Sequence, residues 1–234
     1  MAPRKGKVPS RTSNKDVEAF LKKVATTSVG PSSGRGRLIF ALDATASREP
    51  TWDRACQIQG QMFTETSDLG GLEIQMAYYR GFGEFQAAPW ITNSDDLVRR
   101  MTAVFCLGGH TQIAKVLTHA LAETGRKKVN ALVFIGDSVE EGVDHLCSLA
   151  GELGIRGVPV FVFQEGDEPR AASAFKQIAK LSNGAHCRFD SSSAKQLRDL
   201  LSAVAVFAAG GRKALEHFSH KAGAEVRLLA NQVR

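Results

Sequence analysis

The sequence predicts a doubly wound α/β fold, in which a mostly parallel sheet is covered by helices on both faces. Short segments that are apolar at consecutive positions, such as LIFAL at 38–42, alternate along the chain with segments whose apolar residues recur every three to four positions. Strands that are apolar on both faces and separated by helices require a parallel sheet between two helical layers. The length of 234 residues, with 43% apolar residues, suits one such core.

The predicted strands are short and rich in apolar residues, and most are followed by a polar or glycine-containing turn. They occupy residues 37–43, 72–81, 83–90, 128–137, 158–164 and 185–190. The third of these, GEFQAAPW, is only a short strand-like stretch.

The predicted helices lie between these strands and show the apolar spacing of an amphipathic helix. They occupy residues 51–66, 94–105, 111–125, 142–154, 169–184 and 193–209. Several carry start or stop signals: Ser94 begins one helix, Gly125 ends another, and a third runs from Pro169 to Gly184. The segment 212–220 extends the last helix beyond the Gly210–Gly211 break or forms a separate element.

Three regions are predicted: a basic extension at 1–36, the α/β domain at 37–207 and a C-terminal extension at 208–234. Residues 1–37 hold nine Lys or Arg and two Asp or Glu, a net charge of +7, whereas the whole chain carries +6. The body is therefore close to neutral, and it has no basic patch interleaved with aromatic residues. Nucleic acid is not the expected partner, although the basic tail keeps a nucleic-acid-associated function as an alternative.

The basic extension contains one segment with helical spacing. Val17, Phe20, Leu21 and Val24 fall on one face of a predicted amphipathic helix at 13–26, which we expect to dock on its own domain. A Gly, Ser and Pro-rich linker follows it.

The cysteines and the hydropathy of the chain bear on its compartment. Cys56, Cys106, Cys147 and Cys187 are widely spaced, which predicts reduced core thiols in the cytoplasm. No apolar run reaches the ~18 residues needed to span a bilayer, and the basic N-terminus lacks the apolar region of a signal peptide.

Polar side chains follow two of the predicted strands and precede one helix. Asp43, Thr45 and Ser47 come directly after the first strand, Thr111 begins the helix at 111–125, and Asp137 ends the strand at 128–137. In an open parallel sheet, binding sites form beyond the carboxyl ends of the strands. Two carboxylates and three hydroxyls are hard oxygen donors of the kind Mg²⁺ takes, and Mn²⁺ or Ca²⁺ are alternatives. The simpler interpretation is that Asp43 only caps the following turn.

The segments LDATASR, GGHTQI and FIGDS, in this order and spacing, resemble the von Willebrand factor A (VWA) family over about residues 35–207. That family carries a metal-ion-dependent adhesion site (MIDAS), built from D-x-S-x-S, a Thr on a second loop and an Asp on a third. The resemblance implies the metal ligands Asp43, Thr45, Ser47, Thr111 and Asp137. Thr45 stands where Ser is usual, and its methyl group crowds the site.

The resemblance also implies a function. A cation at a MIDAS keeps one coordination position open, which an Asp or Glu of a protein partner fills. Some bacterial cytoplasmic members of the family work with AAA+ ATPases or other assembly factors, so such a protein is one candidate partner.

An enzyme is the main alternative class. VFIGDSVEE also resembles the block around the nucleophile of GDS-type serine esterases, with Ser138 as the nucleophile. That family has the block near its N-terminus and a late D-x-x-H, whereas here the block lies past the midpoint and no D-x-x-H occurs. A haloacid-dehalogenase phosphatase would need an Asp at position 45, where this sequence has a threonine, Thr45. We therefore expect a binding module and no enzyme.

Overall fold

The computed structural model describes residues 35–46, 71–189 and 194–221, together with Ala19 and Lys23. The strands in this part of the chain are β1 (Gly36–Asp43), β2 (Leu72–Arg80), β3 (Glu84–Ala87), β4 (Ala131–Gly136), β5 (Val160–Glu165) and β6 (Ala185–Phe189). The helices are α1 (Ser94–Thr102), α2 (Ile113–Arg126), α3 (Val143–Ile155), α4 (Pro169–Leu181) and α5 (Ala194–Lys221).

The six strands form one sheet in the order β3-β2-β1-β4-β5-β6. All neighbouring pairs are parallel except β2 and β3, which are antiparallel. From β1 the chain continues to β2 on one side and later returns to β4 on the other, so the strand order reverses between β1 and β4. A crevice at the carboxyl ends of these two strands is where such sheets place their ligand sites.

Each face of the sheet has its own apolar core. Along β1, Leu38 and Phe40 point to the face covered by α1 and α5, and Ile39 and Ala41 point to the face covered by α2, α3 and α4. The alternation follows from the two-residue period of a strand. Helices on both faces confirm the doubly wound α/β fold.

Several predicted boundaries differ from the structure. The helix predicted at 94–105 ends at Thr102, and the following residues form the loop that leads to α2. The helix predicted at 111–125 begins two residues later, because Thr111 and Gln112 belong to that loop.

The strand-like stretch at 83–90 contains the antiparallel edge strand β3. The helices predicted at 13–26 and 51–66 lie outside the described residues, apart from Ala19 and Lys23, which are helical.

The last helix runs past its predicted end at 209 and crosses the predicted domain boundary at 207. It bends at Gly211, whose φ of 67° is left-handed, and then continues to Lys221. Glycine adopts this conformation without a steric penalty, so the chain changes direction at one residue. The half-buried Ala214 still packs against the core beyond the bend.

The cysteines are less buried than the sequence suggested. Cys187 is buried, but Cys106 and Cys147 are only half-buried, and all three are free thiols. Cys56 lies outside the described residues. None of the helices in the described ranges has the length and apolar character to cross a bilayer.

His186 is a half-buried histidine on the edge strand β6. Its Nε2 lies 2.9 Å from Oε1 of the fully buried Gln164. Burial, together with the positive charges of Lys176, Arg188 and Lys23, lowers the pKa of His186 to about 4. The imidazole is therefore neutral at physiological pH and donates to Gln164.

Candidate metal centre

A pocket of about 220 Å³ opens at the carboxyl ends of β1 and β4, where the strand order reverses. Its lining combines the end of β1, the loop before α2 and the loop after β4. The lining residues are Asp43, Thr45, Ala46, Gly108, Gly109, Thr111, Asp137, Ser138 and Glu140. Four of the five predicted metal ligands, Asp43, Thr45, Thr111 and Asp137, thus share one pocket. Ser47 lies outside the described residues.

Asp43 is the most deeply placed of these ligands, with 2% of its surface exposed. It is the last residue of β1, and both carboxylate oxygens accept hydrogen bonds. The backbone N–H of Thr45 donates to Oδ1 at 2.8 Å, and the Tyr79 hydroxyl donates to Oδ2 at 3.0 Å. Tyr79 comes from the neighbouring strand β2 and is fully buried. The carboxylate is therefore held in one orientation toward the pocket.

The charge of Asp43 is not fully balanced by its surroundings. Burial raises the pKa of Asp43, and the negative charge of Asp137 raises it further, while the hydrogen bonds from Thr45 and Tyr79 act in the opposite direction. The carboxylates of Asp43 and Asp137 line the same pocket and repel each other, and a cation between them would relieve the repulsion.

Thr111 and Glu140 form a reciprocal pair across the pocket. The Thr111 N–H donates to Oε2 of Glu140 at 3.0 Å, and the Glu140 N–H donates to the Thr111 hydroxyl oxygen at 3.0 Å. The bond from Thr111 lowers the pKa of Glu140, as does the neighbouring imidazole of His110. The two bonds fix Thr111 against the loop that follows β4.

Glu141 makes a second connection between the same two loops. Its Oε2 accepts from the backbone N–H of Ile113 at 2.6 Å, and its Oε1 accepts from that of Ala114 at 2.8 Å. These N–H groups belong to the first turn of α2, whose N-cap residue Gln112 makes no side-chain cap. Glu141 therefore caps α2 from another loop and satisfies donors that a helix N-terminus leaves free.

The loop before α2 also rests on the end of β1 and on the β2–β3 turn. The Leu107 N–H donates to the Ala44 carbonyl at 3.0 Å, and the His110 N–H donates to the Gly81 carbonyl at 3.2 Å. A Cβ on Gly109 would lie 2.0 Å from that same Gly81 oxygen, so only glycine fits there. This close approach fixes the position of the loop before α2 relative to the β2–β3 turn.

The donor set fits a hard divalent cation. The described residues hold no group of three His, Cys, Asp or Glu side chains arranged as metal ligands. A cation here would therefore rely on two carboxylates, from Asp43 and Asp137, and on hydroxyl oxygens such as that of Thr111. This chemistry suits Mg²⁺, which completes its coordination with water, and it lacks the nitrogen and sulfur ligands typical of Zn²⁺ sites.

Ser138, the nucleophile of the esterase alternative, also lines the pocket. The loop before α2 carries one imidazole, that of His110, whose Nδ1 lies 3.1 Å from Oε2 of Glu140. Among the described residues no hydrogen bond joins Ser138 to this histidine, and a serine nucleophile needs such a base.

Three residues of the site were not found by sequence reasoning. Tyr79 reads as a core residue of an apolar strand, and its role depends on the pairing of β1 with β2. Glu140 and Glu141 follow the FIGDS segment and read as part of a solvated loop. Two adjacent carboxylates after a predicted ligand loop are a weak signal for helix capping across loops.

Comparison with known proteins supports the fold. The structure is similar to the SpRpn10 VWA domain, with 12% identity over 71% of this chain and 94% of that chain and a TM-score of 0.58. It is also similar to proximal thread matrix protein 1 from the mussel byssus with a zinc-occupied MIDAS motif, with 16% identity over 74% of this chain and 46% of that chain and a TM-score of 0.56. A third similar structure is the PilB minor pilin from Streptococcus sanguinis, with 8% identity over 83% of this chain and 65% of that chain and a TM-score of 0.57.

No family model matches the sequence, and no curated protein matches it. At these identities the structural likeness establishes a VWA-like fold and nothing finer.

Proposed function

We propose that this chain is a protein-binding module that engages an acidic residue of its partner through a divalent cation. The observation that carries the proposal is the convergence of Asp43, Thr111 and Asp137 on one pocket at the point where the strand order reverses. A cap on the β1 turn would account for Asp43 alone. It gives no reason for the other two residues to face the same pocket.

In this proposal the cation is Mg²⁺, with Mn²⁺ or Ca²⁺ as alternatives, and its ligands are Asp43, Thr45, Ser47, Thr111 and Asp137. When bound, the cation supplies an electrophilic position that a carboxylate from another protein can occupy.

The chain's own residues prepare this position. Thr45 and Tyr79 orient the Asp43 carboxylate, and Glu140 holds Thr111. These bonds join groups of the protein itself and hold the ligands in place, so little conformational entropy remains to be lost when the cation and the partner bind.

The proposed partner is a protein that offers an Asp or Glu side chain. The VWA resemblance makes an AAA+ ATPase or another assembly factor one candidate. The pocket does not suit a polyanion as its main partner, because three carboxylates, of Asp43, Asp137 and Glu140, already line it.

The test is isothermal titration with Mg²⁺ and with Mn²⁺ on the wild-type protein, Asp43→Asn and Thr45→Ser. The Asn variant keeps an oxygen to accept from Thr45 and an amide beside the Tyr79 hydroxyl, yet it lacks the charge. We expect Asp43→Asn to lose metal binding while circular dichroism shows a folded domain. Thr45→Ser should keep or improve affinity, because it removes the crowding methyl group.

Two results would overturn the proposal. One is Asp43→Asn binding the metal as tightly as the wild type does. The other is a wild-type protein that takes up neither ion at millimolar concentration, which would leave Asp43 as a cap for the β1 turn.

Asparagine is preferred to alanine at position 43 because it keeps a hydrogen-bonding side chain there. Alanine would leave the buried Tyr79 hydroxyl and the Thr45 N–H without their acceptor, and each unsatisfied group costs about 1–3 kcal/mol. Asp43→Asn avoids most of this loss.

A further inference from the structure

Large apolar side chains are exposed around the mouth of the pocket. Among the described residues, five large apolar side chains are exposed, and three of them are Phe82 at 83%, Phe105 at 60% and Leu107 at 39%. We call these three residues the apolar rim. The other two, Ile155 and Leu181, lie at the carboxyl ends of α3 and α4, at the opposite end of the sheet.

Phe82 is joined to the wall of the pocket through His110. Phe82 lies at the tip of the turn between β2 and β3, and its ring centroid is 5.1 Å from that of His110, edge to face. The His110 ring in turn contacts Glu140, which lines the pocket. The Phe82 ring is therefore one side chain away from the pocket.

Phe105 and Leu107 lie in the same loop as Gly108 and Gly109, which line the pocket, and Leu107 directly precedes Gly108. The Leu107 N–H is bonded to Ala44, the residue after Asp43. The Arg80 guanidinium lies 4.3 Å from the centre of the Phe105 ring, and Arg80 also donates to the Phe105 carbonyl at 2.9 Å. Both rim residues are thus held in place although their side chains are exposed.

Exposure of these side chains to water forgoes hydrophobic free energy, which binding of a partner would recover. Exposed aromatic rings on a fixed backbone are typical of interaction sites, where they bury a large apolar area with little loss of conformational entropy. Of the apolar side chains exposed in the described ranges, those of the rim adjoin the one pocket that carries the candidate metal ligands.

We infer that the apolar rim docks a segment of another protein in which an acidic residue is flanked by large apolar, preferably aromatic, side chains. The inference rests on the proposed function, since the acidic residue is the one that would reach the cation. The flanking side chains pack on Phe82, Phe105 and Leu107.

Charge complementarity favours an acidic segment of another protein. Two positive groups lie beside the apolar rim: the Lys115 Nζ donates to the carbonyl of Gly83, the residue after Phe82, at 2.7 Å, and the Arg80 guanidinium lies 4.3 Å from the centre of the Phe105 ring. The Glu84 carboxylate, which would oppose an acidic segment, is bonded to Arg80.

The test uses a phage library of random 12-residue peptides selected on the full chain, once with Mg²⁺ and once with EDTA. The rim variant is Phe82→Ser with Phe105→Ser, and the matched control is Ile155→Ser with Leu181→Ser, which removes the exposed apolar side chains of the opposite end. Circular dichroism shows whether both variants keep the fold. A synthetic peptide from the most enriched clones then gives dissociation constants.

We expect the wild type and the control to enrich Mg²⁺-dependent peptides that carry Asp or Glu beside aromatic or large aliphatic residues. The rim variant should still enrich acidic peptides but without the apolar neighbours. The peptide should bind the rim variant at least about tenfold more weakly, as expected for the loss of aromatic anchors, and the control as well as the wild type.

The other outcomes separate the two proposals. Mg²⁺-dependent enrichment of acidic peptides without apolar neighbours would support the metal bridge and overturn the docking surface. Apolar peptides that survive EDTA and fail on the rim variant would support the docking surface and refute the metal bridge. Equal binding to rim variant and wild type, no enriched peptide, or a wild-type dimer in sedimentation that the rim variant abolishes would each overturn the inference.

Discussion

Tyr79→Phe is a sharp test of how the candidate metal centre is built. The phenol hydroxyl donates to Oδ2 of Asp43 at 3.0 Å, and the residue is fully buried. Phenylalanine keeps the ring and its stacking on Phe134, whose centroid is 6.2 Å away, so the packing is nearly unchanged. The substitution therefore removes one hydrogen bond to the carboxylate and little else.

Two magnitudes follow from this single bond. A hydrogen bond to a charged acceptor contributes about 1.5–3 kcal/mol, so the free energy of unfolding of the metal-free protein should fall by about that amount. A partner that orients a metal ligand typically contributes about 10–100-fold in metal affinity. The dissociation constant for Mn²⁺ should therefore rise by about 10–100-fold, which is about 1.4–2.7 kcal/mol.

The assay is isothermal titration with Mn²⁺, together with urea unfolding in EDTA. Tyr78→Phe is the matched control, because Tyr78 is the next residue on β2 and points to the other face of the sheet. We expect the control to bind Mn²⁺ like the wild type. If Tyr79→Phe also bound Mn²⁺ with wild-type affinity, Tyr79 would not position Asp43 for the cation, and the argument from orientation would be refuted.

Four further outcomes are expected. Ser138→Ala should leave peptide binding nearly intact, and the wild type should show no ester hydrolysis; hydrolysis abolished by this change would favour the esterase alternative. Glu141→Gln replaces one of the two carboxylate oxygens that accept from the first turn of α2 with an NH₂ donor. The free energy of unfolding in urea titrations should therefore fall by about 1–2 kcal/mol, and an unchanged midpoint would contradict the capping role. Because His186 has a pKa of about 4 when folded and about 6.5 when unfolded, the unfolded state binds the proton more readily. Stability should therefore fall by at most about 3 kcal/mol between pH 6.5 and pH 4, and His186→Gln should flatten this part of the pH profile. Phe20→Ala should lower the melting temperature if the predicted helix docks on the domain, as the effect of the Lys23 charge on His186 favours, whereas removal of residues 1–12 should not. An unchanged value for Phe20→Ala would indicate that the predicted helix faces a partner.

The central strands were predictable because runs of consecutive apolar residues are typical of strands that are buried on both faces of a parallel sheet. β1, β4 and β5 are buried along nearly their whole length, and no polar face interrupts their pattern. The end of α1 was misjudged for a related reason. Apolar residues continue the helical spacing through Phe105, but Phe105 is exposed and lies beside Arg80 rather than in the core. Sequence alone does not distinguish an apolar residue of the core from one at a functional surface.

That Asp43 and Asp137 would lie close together was predictable for a topological reason. Asp43 and Asp137 follow parallel strands, and the carboxyl ends of parallel strands meet at one edge of the sheet. The other contacts of the site depend on which strands are neighbours in the sheet, and the sequence does not show the strand order. Tyr79 reaches Asp43 only because β2 pairs with β1 in a register that places the two residues side by side. Glu140 and Glu141 contact the α2 loop only after β4 has taken its place beside β1.

Two candidate ligands, Asp43 and Asp137, lie at the ends of strands that are adjacent in space but separated in the chain by β2, β3, α1 and α2. On the ribosome, Asp43 emerges long before Asp137, so the nascent chain at first holds only half of the site. Any ligand that needs both residues gains its affinity when β4 docks on β1, while β5, β6 and three helices still follow in the chain. Such a ligand stabilises the chain from that step onward and does nothing before it. Its binding would therefore report that β4 has docked on β1.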